Sequence, residues 1–163
     1  MCQAASLRPL DRSIGYVLKQ ATTALNAAMA AALRPHGLTV PQYSCLELLS
    51  QRPEQSNAEL ARGMFVTPQS MNEVLRGLQS RSLVERPRDV AIGRARPTHL
   101  TAAGRTLLEH ARTALVPVEE RMLSGMTSPH QQQMLAHLRT VIHNLEHGAD
   151  AGEAGTSEPG GAG

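Results

Sequence analysis

Ser56-Asn57-Ala58-Glu59-Leu60-Ala61-Arg62-Gly63-Met64-Phe65-Val66-Thr67-Pro68-Gln69-Ser70-Met71-Asn72-Glu73-Val74-Leu75-Arg76-Gly77-Leu78-Gln79-Ser80 reads as two short helices joined by a tight turn. Ser56 and Glu59 form a capping box: the serine hydroxyl takes one orphan amide and the glutamate returns to the amide of the cap. The first helix is expected from about Asn57 to Met64, with Ala58, Ala61 and Phe65 turned inward. Thr67 caps the second helix, and Pro68 sits at its first position, where no amide hydrogen is needed. Met71, Val74, Leu75 and Leu78 fall on one helical face. Gln69, Glu73, Arg76 and Ser80 then occupy the opposite pole, with Ser70 and Asn72 on its flanks.

A basic hairpin is expected directly after this pair. Leu83 to Arg86 reads as a short strand, Gly93 as a bend, and a second strand ends near Leu100. Pro97 offers no amide hydrogen to the second strand, so the hairpin is expected to be short. Between Gln51 and Pro97 lie eight arginines against five acids, so this third of the chain is basic although the formal net charge of the whole is only +2. Four of those arginines, Arg86, Arg88, Arg94 and Arg96, belong to the hairpin.

Long helices flank this centre. From about Arg12 to Leu33, the residues Ile14, Leu18, Ala21, Leu25, Ala28 and Ala32 recur at alternating four- and three-residue steps, the seam of a helix packed along another helix. Arg34-Pro35-His36-Gly37 ends it. Thr39 and Gln42 form another capping box, opening a helix to about Ser50 with Tyr43, Leu46 and Leu49 on one face. Thr101 caps a helix carrying Leu107, Leu108, Ala111, Leu115, Val118 and Met122, with a kink expected at Pro117. Ser128 and Gln131 suggest a last capping box. The final helix places Met134, Leu135, Leu138, Val141, Ile142 and Leu145 on one side. From Gly148 the Gly-rich, acidic tail has almost nothing to bury and is expected to be disordered.

The expected fold is therefore mainly α with a small β-hairpin wing, a winged helix-turn-helix. In that arrangement the second helix of the pair enters the DNA major groove. Gln69, Asn72 and Arg76 are the residue types that make paired hydrogen bonds to base edges, and Thr67 and Ser70 suit a phosphate. Arg94 and Arg96, at or beside the hairpin tip, suit a minor groove or its phosphates; Arg86 suits the DNA backbone. Glu73 opposes phosphate, and either accepts from a cytosine amino group or pairs with Arg76.

Four segments resemble the MarR family of regulators, over about Leu10 to His147. They are Gly37-Leu38-Thr39-Val40-Pro41-Gln42-Tyr43, Asn57-Ala58-Glu59-Leu60-Ala61, Val66-Thr67-Pro68-Gln69-Ser70-Met71, and Gly93-Arg94-Ala95-Arg96 followed by Leu100-Thr101-Ala102-Ala103-Gly104. This chain differs where the family usually has Asp, two residues before the wing arginine (Ile92), and where it usually has Gly, after the recognition helix (Ser82). A left-handed backbone at Ser82 would carry mild strain. The resemblance implies one folded domain over 10–147, with a winged core over about 39–100 and dimerisation helices over about 10–36 and 101–147. Residues 1–9 would be a flexible N-terminus and 148–163 a disordered tail. It also implies a homodimer on a pseudo-palindromic double-stranded DNA site, repression as the commoner mode, and release by a small aromatic or phenolic acid. Tyr16, His36 and Tyr43 lie on segments that would border such a ligand.

Other classes find less support. A redox-responsive regulator acting through Cys45 is one alternative, since some relatives sense peroxide; a helical interaction module without DNA binding is another. Cys2 and Cys45 make neither a disulfide framework nor a zinc site. Among the histidines, only His143 and His147 share a helical spacing, and they lie at a helix end that favours positive charge. No phosphate-cradling Gly loop, HExxH or Gly-x-Ser-x-Gly occurs, so an enzyme and a cofactor are not expected. No apolar run approaches the roughly 18 residues of a membrane span, and no signal peptide is evident, so the reading is a soluble cytoplasmic protein.

Overall fold

The computed structural model describes residues 9–86 and 97–147. The helices are α1 (Ile14–Leu33), α2 (Val40–Gln51), α3 (Asn57–Gly63), α4 (Pro68–Ser80), α5 (Ala102–Leu123) and α6 (Ser128–His147). Two short strands, β1 (Val84–Glu85) and β2 (His99–Leu100), pair antiparallel, with Val84 opposite Leu100 and Glu85 opposite His99. The strand after Pro97 is only two residues long, and a further bridge joins Thr98 to Gln55. The chain divides into two compact units, Met1–Met122 and Leu123–Gly163.

Local chemistry places the helix starts. Ser13 caps α1 after a 3-10 turn at Leu10–Arg12. Thr39 with Gln42, and Ser56 with Glu59, each close both hydrogen bonds of a capping box. The Thr67 hydroxyl oxygen accepts from the Ser70 amide at 3.1 Å, and Thr101 Oγ1 accepts from the Gly104 amide at 3.0 Å. The expected box at Ser128 does not form. Ser128 is itself the first helical residue, and the Gln131 side chain donates to the Met126 carbonyl at 3.1 Å instead of turning back to a cap. Pro117 stands inside α5, which continues through it.

The core of the first unit is one apolar cluster. Leu33 and Leu38 enter from the end of α1 and the turn after it, and Cys45, Leu46 and Leu49 from α2. Leu60 and Ala61 come from α3, Met71, Leu75 and Leu78 from α4, Leu83 and Val84 from the β1 approach, and Leu108 and Ala111 from α5. The inward face expected of α4 is thus the observed one, with Val74 packed at its margin. The stripe expected of α3 is wrong at two of its three positions. Ala58 is exposed and Phe65 is 86% exposed, while Leu60 takes the buried place. The helix stops at Gly63, and Phe65 adopts φ +56°, which breaks the periodicity that would have turned it inward. Ser82 adopts φ +55°, the left-handed geometry that usually favours glycine.

Along α1, Leu18, Leu25, Ala28 and Ala32 are half-buried, but Ile14 and Val17 are exposed. No residue of α6 is buried, and Leu135, Ile142 and Leu145 are exposed.

Candidate nucleic-acid interface

Helices α3 and α4 are tied at their starts. Asn57 Nδ2 donates to the Pro68 carbonyl at 3.2 Å, and its Oδ1 is buried with no hydrogen-bond partner among the described residues. The polar face of α4 is open: Gln69, Ser70, Asn72, Glu73, Arg76 and Ser80 are all exposed, opposite the fully buried Met71, Leu75 and Leu78. Thr67 and Ser70 are joined, the threonine hydroxyl donating to Ser70 Oγ at 3.0 Å. Among the described residues the ion pairs are those of Arg112 with Glu47 and Glu109, so Glu73 and Arg76 do not pair with each other.

Arg86 is half-buried, and its Nε donates to Thr98 Oγ1 at 3.2 Å, across the base of the hairpin. Arg94 and Arg96 lie outside the described residues, as do Arg88 and Gly93.

Two contacts that hold α4 and α2 in place were not read from the sequence. Arg81, the C-cap of α4, donates from Nη1 to the Gly37 carbonyl at 2.6 Å and from Nη2 to the His36 carbonyl at 3.3 Å. That fork fastens the end of α4 to the turn that follows α1. Arg112 of α5 grips Glu47 of α2 with two bonds of 2.9 and 3.0 Å, and also reaches Ser50.

The Arg112 hydrogen bond holds the Glu47 carboxyl below its ordinary pKa, against the opposing effect of partial burial; Gln51 helps. A depressed carboxyl stabilises the fold above its unfolded pKa, and the contribution fades as pH falls through the lower, folded value. Glu47→Gln is therefore expected to cost about 1–2 kcal/mol near neutral pH. The difference from wild type should shrink below about pH 4. Urea unfolding at a series of pH values checks this, and a pH-independent difference would remove the charge from the account.

Tyr43, half-buried, donates to Glu47 at 3.5 Å, and burial is the main cause of its raised pKa. It borders a groove of about 580 Å³ with Asn26 of α1, Val40 and Leu48 of α2, and Met64 to Val66 of the inter-helix turn. Tyr16 and His36 do not line that groove. Tyr16 is exposed on the first turn of α1, and half-buried His36 contributes its carbonyl to the Arg81 fork. A second groove, of about 630 Å³, lies at the base of the hairpin.

Cys45 is fully buried, and burial pushes its thiol up to about 12. The thiolate that reacts with oxidants is then scarce at neutral pH, which removes the basis for a Cys45 redox switch. Among the described residues, no group of three or more His, Cys, Asp or Glu is placed to hold a metal ion, and no helix is long and apolar enough to cross a membrane. His143 and His147 stack at 4.5 Å, and the His143 carbonyl contacts His147 Nδ1.

Two capped helices with an open polar face, followed by a short antiparallel hairpin, define a winged helix-turn-helix. The model of the MarR family matches residues 38–94. The HTH-type transcriptional repressor Rv2887 of Mycobacterium tuberculosis (strain ATCC 25618 / H37Rv) is 44% identical over 123 residues, which is 76% of this chain and 88% of that protein. A solved structure of Rv2887 in complex with DNA superposes with a TM-score of 0.67 at 40% identity, covering 80% of this chain and 98% of that one. Rv2887 in complex with salicylic acid gives 0.65 at 42% identity, covering 80% and 97%. The chain belongs to the MarR family.

Proposed function

We propose that this chain is a homodimeric repressor that binds double-stranded DNA sequence-specifically through α4 and is released by a small aromatic acid. The observation that carries this reading is the exposed face of α4, where Gln69, Asn72 and Arg76 present base-reading groups above a fully buried apolar face. The relative Rv2887, solved with DNA and with salicylic acid, supports both parts. Thr67 and Ser70, at the positive end of the helix, bind phosphate. Arg86, Arg94 and Arg96 serve the wing contacts. The folded domain spans 10–147, with dimerisation helices over 10–36 and 101–147. A regulator of this kind needs no catalytic centre, and the protein is assigned none.

Binding to duplex DNA from upstream of its own gene, against a scrambled duplex and across a salt series, tests the reading. Affinity for the native duplex should fall steeply with salt, because phosphate contacts release counterions. Arg76→Ala should cost about 1–3 kcal/mol on the native duplex and flatten the preference over the scrambled one. A genome-wide selection covers operators located elsewhere. No duplex binding at low salt would defeat the proposal and leave a helical interaction module.

A further inference from the structure

We infer that Arg81 is a positioning residue for DNA recognition: it fixes the angle at which α4 meets the duplex and spends its charge inside the protein, not on a phosphate. The inference rests on the proposed reading of α4 as the helix that enters DNA.

The need for such a residue follows from the length of the helix. Arg76 stands eight residues beyond Pro68, about 12 Å along the axis. A tilt of about 10° around the start of α4 would carry it about 2 Å sideways. A paired hydrogen bond to a base edge does not survive that displacement, because its useful distances span only about half an ångström. The buried Met71, Leu75 and Leu78 hold the inner face of α4 against the core. Apolar contact is non-directional, so it resists separation better than it resists tilt. Directional bonds are needed at both ends.

The structure supplies them. At the start, Asn57 Nδ2 donates to the Pro68 carbonyl at 3.2 Å. At the end, Arg81 is the C-cap, and its two terminal nitrogens donate to the Gly37 carbonyl at 2.6 Å and the His36 carbonyl at 3.3 Å. A planar fork on two neighbouring carbonyls sets direction as well as distance. The receiving turn is itself anchored, since Leu33 and Leu38 on either side of it are buried. Gly37 adopts φ +65°, and a Cβ there would rest 3.4 Å from Arg81 Nη2, so the turn leaves room for the guanidinium.

An exposed arginine at the end of a DNA-facing helix would ordinarily be assigned to the phosphate backbone. The two roles predict different salt behaviour. A phosphate contact contributes to the counterions released on binding, and a tie within the protein does not.

The test compares Arg81→Met with the wild-type full chain on an operator duplex and a scrambled duplex, across a salt series. The operator is the upstream duplex or one recovered by selection. Arg81→Met is expected to lose at least about tenfold in operator affinity, the scale of one lost base contact. Binding to the scrambled duplex should be nearly unchanged, and so should the salt slope on both. Arg81→Lys keeps the charge without the fork and should recover only part of the loss. Circular dichroism should show the variants folded at the assay temperature. Wild-type operator affinity in Arg81→Met overturns the inference. So does a salt slope reduced by about one, which would make Arg81 a phosphate contact. Equal losses on both duplexes at an unchanged slope would also overturn it, since lost folded protein weakens both alike. A wild-type chain that binds no duplex defeats the reading of α4 itself, an outcome separate from all of these.

Discussion

Gly104→Ala is expected to destabilise the winged lobe by about 3 kcal/mol or more, the upper range for forced overpacking. A methyl group at Gly104 would stand 2.1 Å from the Leu83 carbonyl oxygen and 3.0 Å from its carbon, and 3.4 Å from Leu100 Cδ2. The first two are backbone atoms, and they have nowhere to go. The Leu83 carbonyl accepts from the Thr101 amide at 3.1 Å and from the Thr101 hydroxyl at 3.1 Å. The same hydroxyl reaches the Ser82 carbonyl at 2.7 Å and caps Gly104 itself. Relief must therefore come from lifting the first turn of α5 off the chain entering β1, which breaks the cap and opens the wing base together. Thermal unfolding at fixed protein concentration should show a drop in Tm on the order of ten degrees. Gly15→Ala supplies the control, since a Cβ there meets nothing within 4 Å and helical Ala is favoured over Gly. Equal stability of Gly104→Ala and wild type would mean that the close approach of α5 to Leu83 is not obligatory.

The sequence made the helix starts legible because caps are local. Thr39, Ser56, Thr67 and Thr101 each act on an amide three residues away, so residue type and spacing found these four, although the same pattern at Ser128 and Gln131 did not close. The buried face of α4 was equally legible, since Met71, Val74, Leu75 and Leu78 obey the helical period. Phe65 misled because its hydrophobicity continues a period that the backbone abandons at Gly63. Whether a chain enters the left-handed region at a bulky residue depends on the packing around the turn, and no local propensity reports it.

The candidate site divides in the same way. Which residues lie on the exposed face of α4 followed from the period. Where the arginines spend their donors did not. Arg81 binds carbonyls 44 and 45 residues earlier, and Arg112 finds Glu47 across 65 residues. A long side chain with several donors satisfies itself on whatever the tertiary fold brings near, so composition identifies it as basic without saying what it fastens. Two glycines did carry a readable hint. Gly77 weakens the interior of α4, and a Cβ there would meet the side-chain Nε2 of Gln42 at 2.8 Å, at the end of a side chain whose Oε1 accepts from the Thr39 amide. Gly104 likewise marks a close approach, and the Leu100-Thr101-Ala102-Ala103-Gly104 segment was noted only as a resemblance.

The Leu135→Glu/Ile142→Glu double variant is expected to be monomeric and to lose about a hundredfold or more in affinity for a pseudo-palindromic operator. The residues lie seven apart on α6 and are 49% and 52% exposed, and Leu145, three further on, is 77% exposed. With half-buried Met134, Leu138 and Val141 they make one apolar stripe along the helix. At the other end of the chain, Leu10, Ile14 and Val17 are 65%, 74% and 46% exposed at four- and three-residue steps. Stripes of this regularity at both ends are costly to leave in water, at roughly 25 cal/mol for each Å². A two-fold dimer covers the same patch on both copies at once. It also sets two α4 helices on one duplex, so the second half-site binds at high effective concentration. Two buried carboxylates per copy, four in the dimer, oppose that closure by desolvation and by like charge. Because both side chains are half in water in the single chain, circular dichroism should remain that of the folded protein. Sedimentation velocity then reads the oligomeric state, and a salt series on full and half operators reads the affinity. A double variant that stays dimeric at micromolar concentration would move the interface off this face of α6. A monomer that keeps full operator affinity would show that one copy reads the site alone, and the two-fold account of recognition would fall with it.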